Sequence, residues 1–302
     1  MAAMIEVLAS GPLATVQDLG RPGLAELGVS RSGAADRAAL RLANRLVGND
    51  ESAAGVEITL GGLVVRLGTA ATVACTGARC PLSGHSGGWN AALSCPAGTV
   101  LAFGSPATGL RSYLAVRGGL AVPAVLGSRA TDTLSGLGPA VLAPGHRLPL
   151  GTATAGPPGT GGDAGDTRDR LPSDVTTLRL AAGPRADWFS LAPLHEAAWQ
   201  VLPDSDRIGT RLAGPALRAR PGFGRRIAEL PSEPTLPGAV QVPPDGRPIV
   251  LGPDAPVTGG YPVVGVLPAA DLDLLAQVRP GAVLRFVSAP IGPRSATAGR
   301  PR

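Results

Sequence analysis

Apolar residues in this chain come in short runs. Beyond residue 55, the runs 56–60, 63–67, 71–75, 99–103 and 113–116 are each bounded by Gly or Pro, the texture of strands joined by tight turns. An earlier apolar run around Met4 to Leu8 alternates poorly and leads into a Gly11-Pro12 turn. One segment reads as a long helix. Ser32 can cap it and Gly48-Asn49 can end it. Ala35, Ala39, Leu42 and Leu46 share its apolar face, while Arg37, Arg41 and Arg45 share the other, most simply a solvated face.

After a Gly-, Thr- and Asp-rich stretch without periodicity, a second β-rich section runs from Thr176 to Val287. Short helices are expected near 190–199 and 270–277. The pattern divides the chain into an N-terminal β-rich lobe with one long helix (1–150), a linker (151–172), a C-terminal lobe (173–290) and a disordered tail (291–302). A Pro/Gly turn precedes an apolar strand at Pro96, Pro144 and Pro280, a weak internal echo of related lobes.

Composition narrows the chemistry. With 43 Gly and 31 Pro in 302 residues, many short strands fit better than long helices. All 27 basic residues are arginine. Without lysine there is no Walker A loop, no Schiff base and no lysine to carry biotin, so anions must be met by arginine or by backbone N–H groups. The net charge of +5 is spread out, with no basic run interleaved with aromatics, which argues against nucleic acid. The uncharged stretch from Cys80 to Leu110 is broken by Gly and Pro and cannot form a membrane helix. The N-terminus lacks a signal-peptide pattern, three cysteines make no disulfide framework, and the expected location is cytoplasmic.

Two motif matches are weak. Gly84-His85-Ser86-Gly87-Gly88 fits the nucleophile elbow, but Pro96 follows too soon for the helix that an elbow needs, so a glycine-rich hairpin is expected. Cys75, Cys80, His85 and Cys95 match no zinc spacing, and no metal site is expected. Polar clusters in turns carry more information. Gln17-Asp18-Leu19-Gly20-Arg21 and Ser205-Asp206-Arg207-Ile208-Gly209 each combine a carboxylate and a guanidinium. The simplest reading of each is a turn held by its own Asp–Arg pair. In Thr258-Gly259-Gly260-Tyr261-Pro262 two glycines permit close backbone approach to a ligand, and Tyr261 is one of only two tyrosines.

These blocks, with Ser32-Gly33-Ala34-Ala35-Asp36, Glu57-Ile58-Thr59, Leu126 to Thr133, Gly183 to Phe189 and Pro237 to Pro243, resemble one family over most of the chain. It is the family of the 5-oxoprolinase C subunits, also described as biotin-dependent carboxyltransferase-like, allophanate hydrolase subunit 2 and Kip antagonist-like. The resemblance implies a mostly β fold of two cyclophilin-like β-barrel lobes with a few short helices. It implies assembly with a cyclophilin-like B subunit and an A subunit, and ATP-dependent hydrolysis of 5-oxo-L-proline to L-glutamate, with ATP and Mg shared with a partner. On this reading the lactam lies near Tyr261, Gln241, Gly259 and Gly260. Arg207, Arg21 and Gln17 bind it, while Asp206 and Asp18 orient groups, bind Mg or accept a proton. The family pattern carries a basic residue after the T-G-G-Y-P proline, where this chain has Val263, so the positive charge is assigned to Arg207. Ser232 to Leu236 is proline-rich where relatives carry a more flexible loop. Two other roles fit the family: a carboxyltransferase component moving biotin-borne CO2 to a urea-like amide, and a regulatory antagonist binding a kinase inhibitor.

Overall fold

The computed structural model describes residues 3–159, 171–173 and 175–289. Most of the expected linker (160–170) and the expected tail (291–302) lie outside the described residues. The fold is mostly β, as expected. In the N-terminal half the strands are β1 (Met4–Ser10), β2 (Leu13–Gln17), β3 (Gly55–Thr59), β4 (Leu63–Leu67), β5 (Ala71–Gly77), β6 (Leu82–Ser83), β7 (Ala92–Cys95), β8 (Val100–Phe103), β9 (Arg111–Val116) and β10 (Arg147–Pro149). They form two five-stranded antiparallel sheets, ordered β10-β1-β4-β8-β6 and β2-β3-β9-β5-β7. Ile5, Val7, Leu63, Val65 and Leu101 of the first sheet share one core with Val16, Val56, Ile58, Val73 and Leu114 of the second.

Period-2 alternation explains the first sheet. Ile5 and Val7 point inward, while Glu6 points outward opposite Arg66 and pairs with it at 2.9 Å. β9 does not alternate, because both of its faces are covered. Helix α1 (Arg37–Val47) packs on β5 and β9, setting Leu42, Ala43, Leu46 and Val47 against Ala74 and Ala115.

The helix ends where expected, at Gly48 in the left-handed region (φ 72°). Its N-cap is Asp36, whose carboxylate accepts the Ala39 N–H at 2.9 Å, and not Ser32. Ser32 is buried, with φ 52°, and donates its hydroxyl elsewhere. Arg41 and Arg45 face solvent and pair with Glu51. The Gly84–Gly88 motif is the loop between β6 and β7. Ser86 is exposed there, and His85 Nδ1 accepts the Gly87 N–H (2.7 Å), so no nucleophile elbow forms. The three cysteines are buried free thiols.

The C-terminal half contains β11 (Val175–Ala182), α2 (Ala192–Glu196), β12 (Trp199–Val201), β13 (Gly209–Ala213), α3 (Gly224–Ala228), β14 (Glu233–Pro234), β15 (Ala239–Gln241), β16 (Ile249–Leu251), β17 (Thr258–Gly259), β18 (Val263–Val266), α4 (Ala269–Leu275) and β19 (Val283–Ser288). Seven of the strands close a barrel in the order β11-β18-β15-β16-β13-β12-β19. The parallel pairing of β11 with β19 completes it. Trp199, Leu178, Val240, Val250, Val264, Leu284 and Phe286 fill the interior. No helix among the described residues is long and apolar enough to cross a membrane.

Candidate functional site

The seam between the sheet half and the barrel half is polar and buried. Arg207 leaves its turn and crosses from the barrel into the N-terminal half with 1% of its surface exposed. Its Nε donates to Asp254 Oδ2 (2.8 Å), and its Nη2 donates to Asp254 Oδ1 (2.9 Å) and to the Gly33 carbonyl (2.7 Å). Its Nη1 donates to Glu57 Oε1. Glu57 Oε2 in turn accepts the Tyr113 hydroxyl (2.7 Å) and the Ala35 N–H (2.9 Å). Burial alone would push the Glu57 carboxyl up, but Arg207 and Arg111 outweigh it and hold the carboxyl below its ordinary range. Burial works the same way on Asp254, and Arg207 again wins and holds that carboxyl low.

The network continues on both sides. Asp254 accepts the Ser32 hydroxyl (2.7 Å) and both the N–H and the hydroxyl of Thr133. On the other side, Tyr113 Oη accepts the Asp36 N–H (2.8 Å), and Asp36 Oδ2 accepts Gln277 Nε2 from the barrel half (2.7 Å). Gln277 Oε1 then accepts the Leu110 and Arg111 N–H groups. This is a continuous chain of satisfied polar groups, which fixes the relative placement of the two halves.

The first polar turn joins the seam from the N-terminal side. Asp18 accepts the Gly20 N–H (2.8 Å), the Ser128 hydroxyl (2.6 Å) and the Arg129 N–H (2.6 Å). Arg21, 2% exposed, donates through Nη2 to the Ala130 carbonyl (2.6 Å). Gln17 Nε2 donates to the Thr131 carbonyl (2.9 Å). Three buried polar atoms here lack a partner: Arg21 Nη1, Gln17 Oε1 and Thr131 Oγ1. Neither polar turn is held by its own Asp–Arg pair. Asp206 is exposed and accepts the Ile208 and Gly209 N–H groups, an Asx turn, which leaves Arg207 free to cross the seam.

Two clefts open along the seam. One, of about 70 Å³, is lined by Arg31, Ser32, Arg37, Arg111 and Asp206 with apolar Pro237, Leu251 and Leu275. The other, of about 250 Å³, is lined by Arg21, Arg31, Leu24, Val29, Leu236 and Val257, among others. Arg31 belongs to both. Arg37 Nε is a buried donor without a hydrogen bond, and Arg111 Nε lies 3.4 Å from Glu57 Oε1, an ion pair without hydrogen-bond alignment. Burial, and then the charges of Arg31 and Arg41, push the Arg37 guanidinium below its ordinary range, partly offset by Asp273. The seam is thus electropositive on its open side.

The remaining sequence-predicted residues lie in the barrel half, where Gly259 abuts Thr235 of the larger cleft. Tyr261, 45% exposed, lines an open groove of about 480 Å³ with Asp204, Arg211, Asp245 and Arg247. Gln241 is buried beside it, with Nε2 3.5 Å from the Tyr261 carbonyl, and a Cβ on Gly259 would meet that same Nε2 at 2.7 Å. Gly260 faces open space. The structure brings Gln17, Asp18 and Arg21 to the seam with Arg207 and Asp206, and it gathers Gln241, Gly259, Gly260 and Tyr261 in the barrel half, beside the Thr235 wall of the larger cleft. Arg207 is not the arginine that shares a cleft with Tyr261, because its donors are taken by Glu57, Asp254 and Gly33; Arg211 and Arg247 share that cleft instead.

Sequence reasoning assigns no role to Arg31, Glu57, Asp254 or Gln277. Glu57 carries a signal, a single acid inside the apolar run Val56-Glu57-Ile58. The other three lie in turns or at a helix end, where nothing in the local pattern sets them apart. Among the described residues no group of three or more His, Cys, Asp or Glu is arranged to hold a metal ion.

Residues 27–288 match the family model described as carboxyltransferase domain, subdomain A and B. The chain is 39% identical over 301 residues to the C subunit of 5-oxoprolinase from Escherichia coli (strain K12), covering 94% of this chain and 91% of that protein. It is 31% identical to urea amidolyase of Saccharomyces cerevisiae over 94% of this chain, but over only 16% of that protein. Among solved structures, Kluyveromyces lactis urea amidolyase superposes with a TM-score of 0.86 at 30% identity, over 95% of this chain and 19% of that one. TTHA0988 gives a TM-score of 0.82 at 35% identity, over 95% of this chain and 56% of that one.

Proposed function

This chain belongs to the carboxyltransferase-domain family, subdomains A and B, and on that premise we propose that it is the C subunit of an ATP-dependent 5-oxoprolinase, acting with A and B subunits. One observation carries the choice within the family. Identity to the C subunit of 5-oxoprolinase from Escherichia coli is 39%, against 33% and 31% to the urea amidolyases of Lachancea kluyveri and Saccharomyces cerevisiae.

In the proposed reaction ATP supplies activation of the lactam oxygen of 5-oxo-L-proline, and water opens the ring to L-glutamate. The described residues do not fit a Mg–ATP site. Among them no group of acids is arranged to hold a metal ion, Asp18 spends both oxygens on local donors, and Asp206 spends Oδ1 on its own turn. Nucleotide and metal are therefore assigned to a partner subunit. What this chain offers is an arginine-lined cleft in which a small anion can be held in fixed geometry beside apolar walls. The Tyr261 groove is the competing surface for the amide. It is more open, and its Arg211 is already paired with Asp204 (3.2 Å).

The carboxyltransferase reading keeps one point in its favour, the family itself. Without lysine this chain would have to receive a biotin carried by another chain. The assay that separates the readings uses the chain co-expressed with its A and B partners. Glutamate formed from 5-oxoproline only with ATP supports the proposal. Biotin-dependent transfer of labelled CO2 without glutamate formation would replace it. In the same complex, a large loss of kcat in Tyr261→Phe would move the substrate from the seam to the barrel groove.

A further inference from the structure

Arg31 is mounted as a receptor rather than as a surface charge. The residues on both sides of it are anchored. The Ser30 hydroxyl donates to Asp132, and the Ser32 hydroxyl donates to Asp254 and to the Thr131 carbonyl. The Arg31 carbonyl itself accepts the Arg21 N–H (2.8 Å). Its backbone is fixed at these points, while its side chain is exposed and, among the described residues, has no ion-pair partner.

The surroundings point to the ligand class. Arg31 stands where the two seam clefts meet, and the larger also contains buried Arg21, whose Nη1 lacks an acceptor. The rest of that cleft is mostly apolar, with Leu24, Val29, Leu236 and Val257, and Thr235 adds one hydroxyl. One accessible guanidinium, that of Arg31, with the buried positive charge of Arg21 beneath a mostly apolar wall, matches a small carboxylate. A polyphosphate would need more donors and a wetter wall.

We propose that the seam around Arg31 and Arg21 is a binding subsite for the carboxylate of a small ring acid of the 5-oxoproline kind, uncharged apart from that group. The carboxylate sits against the Arg31 guanidinium, with Arg21 behind it, and the ring lies on the Leu24, Leu236 and Pro237 side. The existence of the subsite stands on the cleft and its arginines; the identity of the acid rests on the proposed function.

The test is a calorimetric titration of the full chain with 5-oxo-L-proline, with 2-pyrrolidinone (the same lactam without the carboxylate) and with inorganic phosphate. The expected result is saturable binding of the acid, at least about tenfold weaker binding of 2-pyrrolidinone, and loss of at least about tenfold in affinity for the acid alone in Arg31→Gln, a factor of ten being one good charged contact. Arg31 is exposed, so this variant is expected to fold. Equal binding of acid and lactam, unchanged affinity in Arg31→Gln, binding of phosphate alone, or no saturable binding of the acid would each overturn the subsite. The two ideas fail separately. Turnover by the assembled enzyme with an unchanged KM in Arg31→Gln removes the subsite and leaves the function; carboxylate binding that depends on Arg31, without turnover, does the reverse.

Discussion

Burial at the seam pushes the Asp36 carboxyl up to about 7. Asp273 and Glu57 add to the rise, and hydrogen bonds from Gln277 and the Ala39 N–H offset only part of it. An aspartate in the unfolded chain titrates near ~3.9, so between that value and 7 the folded chain holds the extra proton. The stabilising contribution is complete at the acid end of this window and is lost as pH rises through the folded value. Asp36→Asn keeps a cap acceptor for Ala39 but has no proton to release. Its thermal midpoint is therefore expected to fall less than that of the wild-type chain between pH 5 and 8; parallel curves would contradict the assignment. At this scale the sequence is legible only in part. The turns around Asp18 and Asp206 stand out as polar clusters, and both aspartates do organise their turns. The destination of Arg207 does not show, because its partner Glu57 lies 150 positions away and local pattern carries no information about that distance.

Elements are more legible where one residue type has one physical use. Gly48 ends α1 because the left-handed conformation disfavours a Cβ, and the space is also closed: a Cβ there would fall 2.4 Å from the Gly156 carbonyl oxygen and 2.6 Å from that of Pro157. Gly281, at φ 86°, faces open space. Gly281→Ala is expected to cost about 1–2 kcal/mol for the backbone alone. Gly48→Ala should cost clearly more in urea unfolding, and equal losses would show that the Gly156–Pro157 contact is slack. The N-cap differs from the sequence expectation for a tertiary reason. Ser32 and Asp36 are both good caps by residue type, and what separates them is that Asp254 takes the Ser32 hydroxyl. The strands at 63–67 and 100–103 are visible from their alternation and their turns. Barrel closure is not, because the parallel pairing of β11 with β19 joins segments some hundred residues apart.

At the scale of the whole molecule, two hydrophobic cores are joined by one buried polar chain. The Arg207 guanidinium bridges Glu57 of one half and Asp254 of the other. Arg207→Met leaves Asp254 buried without its cation and Glu57 with only Arg111, an expected loss of about 3–5 kcal/mol. Trp89 reports on the sheet half, and Trp188 and Trp199 report on the barrel. Single-tryptophan versions of the wild-type chain are expected to unfold with coincident midpoints, and the same versions carrying Arg207→Met with separated ones. Coincident midpoints in both would mean that the halves are coupled by something other than this cluster. The seam thus couples the halves and sets Arg31 between two clefts, a placement consistent with a subunit that holds a small acid while a partner activates it.

The proposed function makes this chain a required component of an ATP-dependent 5-oxoprolinase. Its most direct test is reconstitution from separately purified A, B and C components with 5-oxo-L-proline, reading L-glutamate. Glutamate is expected only when this chain and ATP are both present. Glutamate formation at the same rate with this chain omitted, or without ATP, would contradict it.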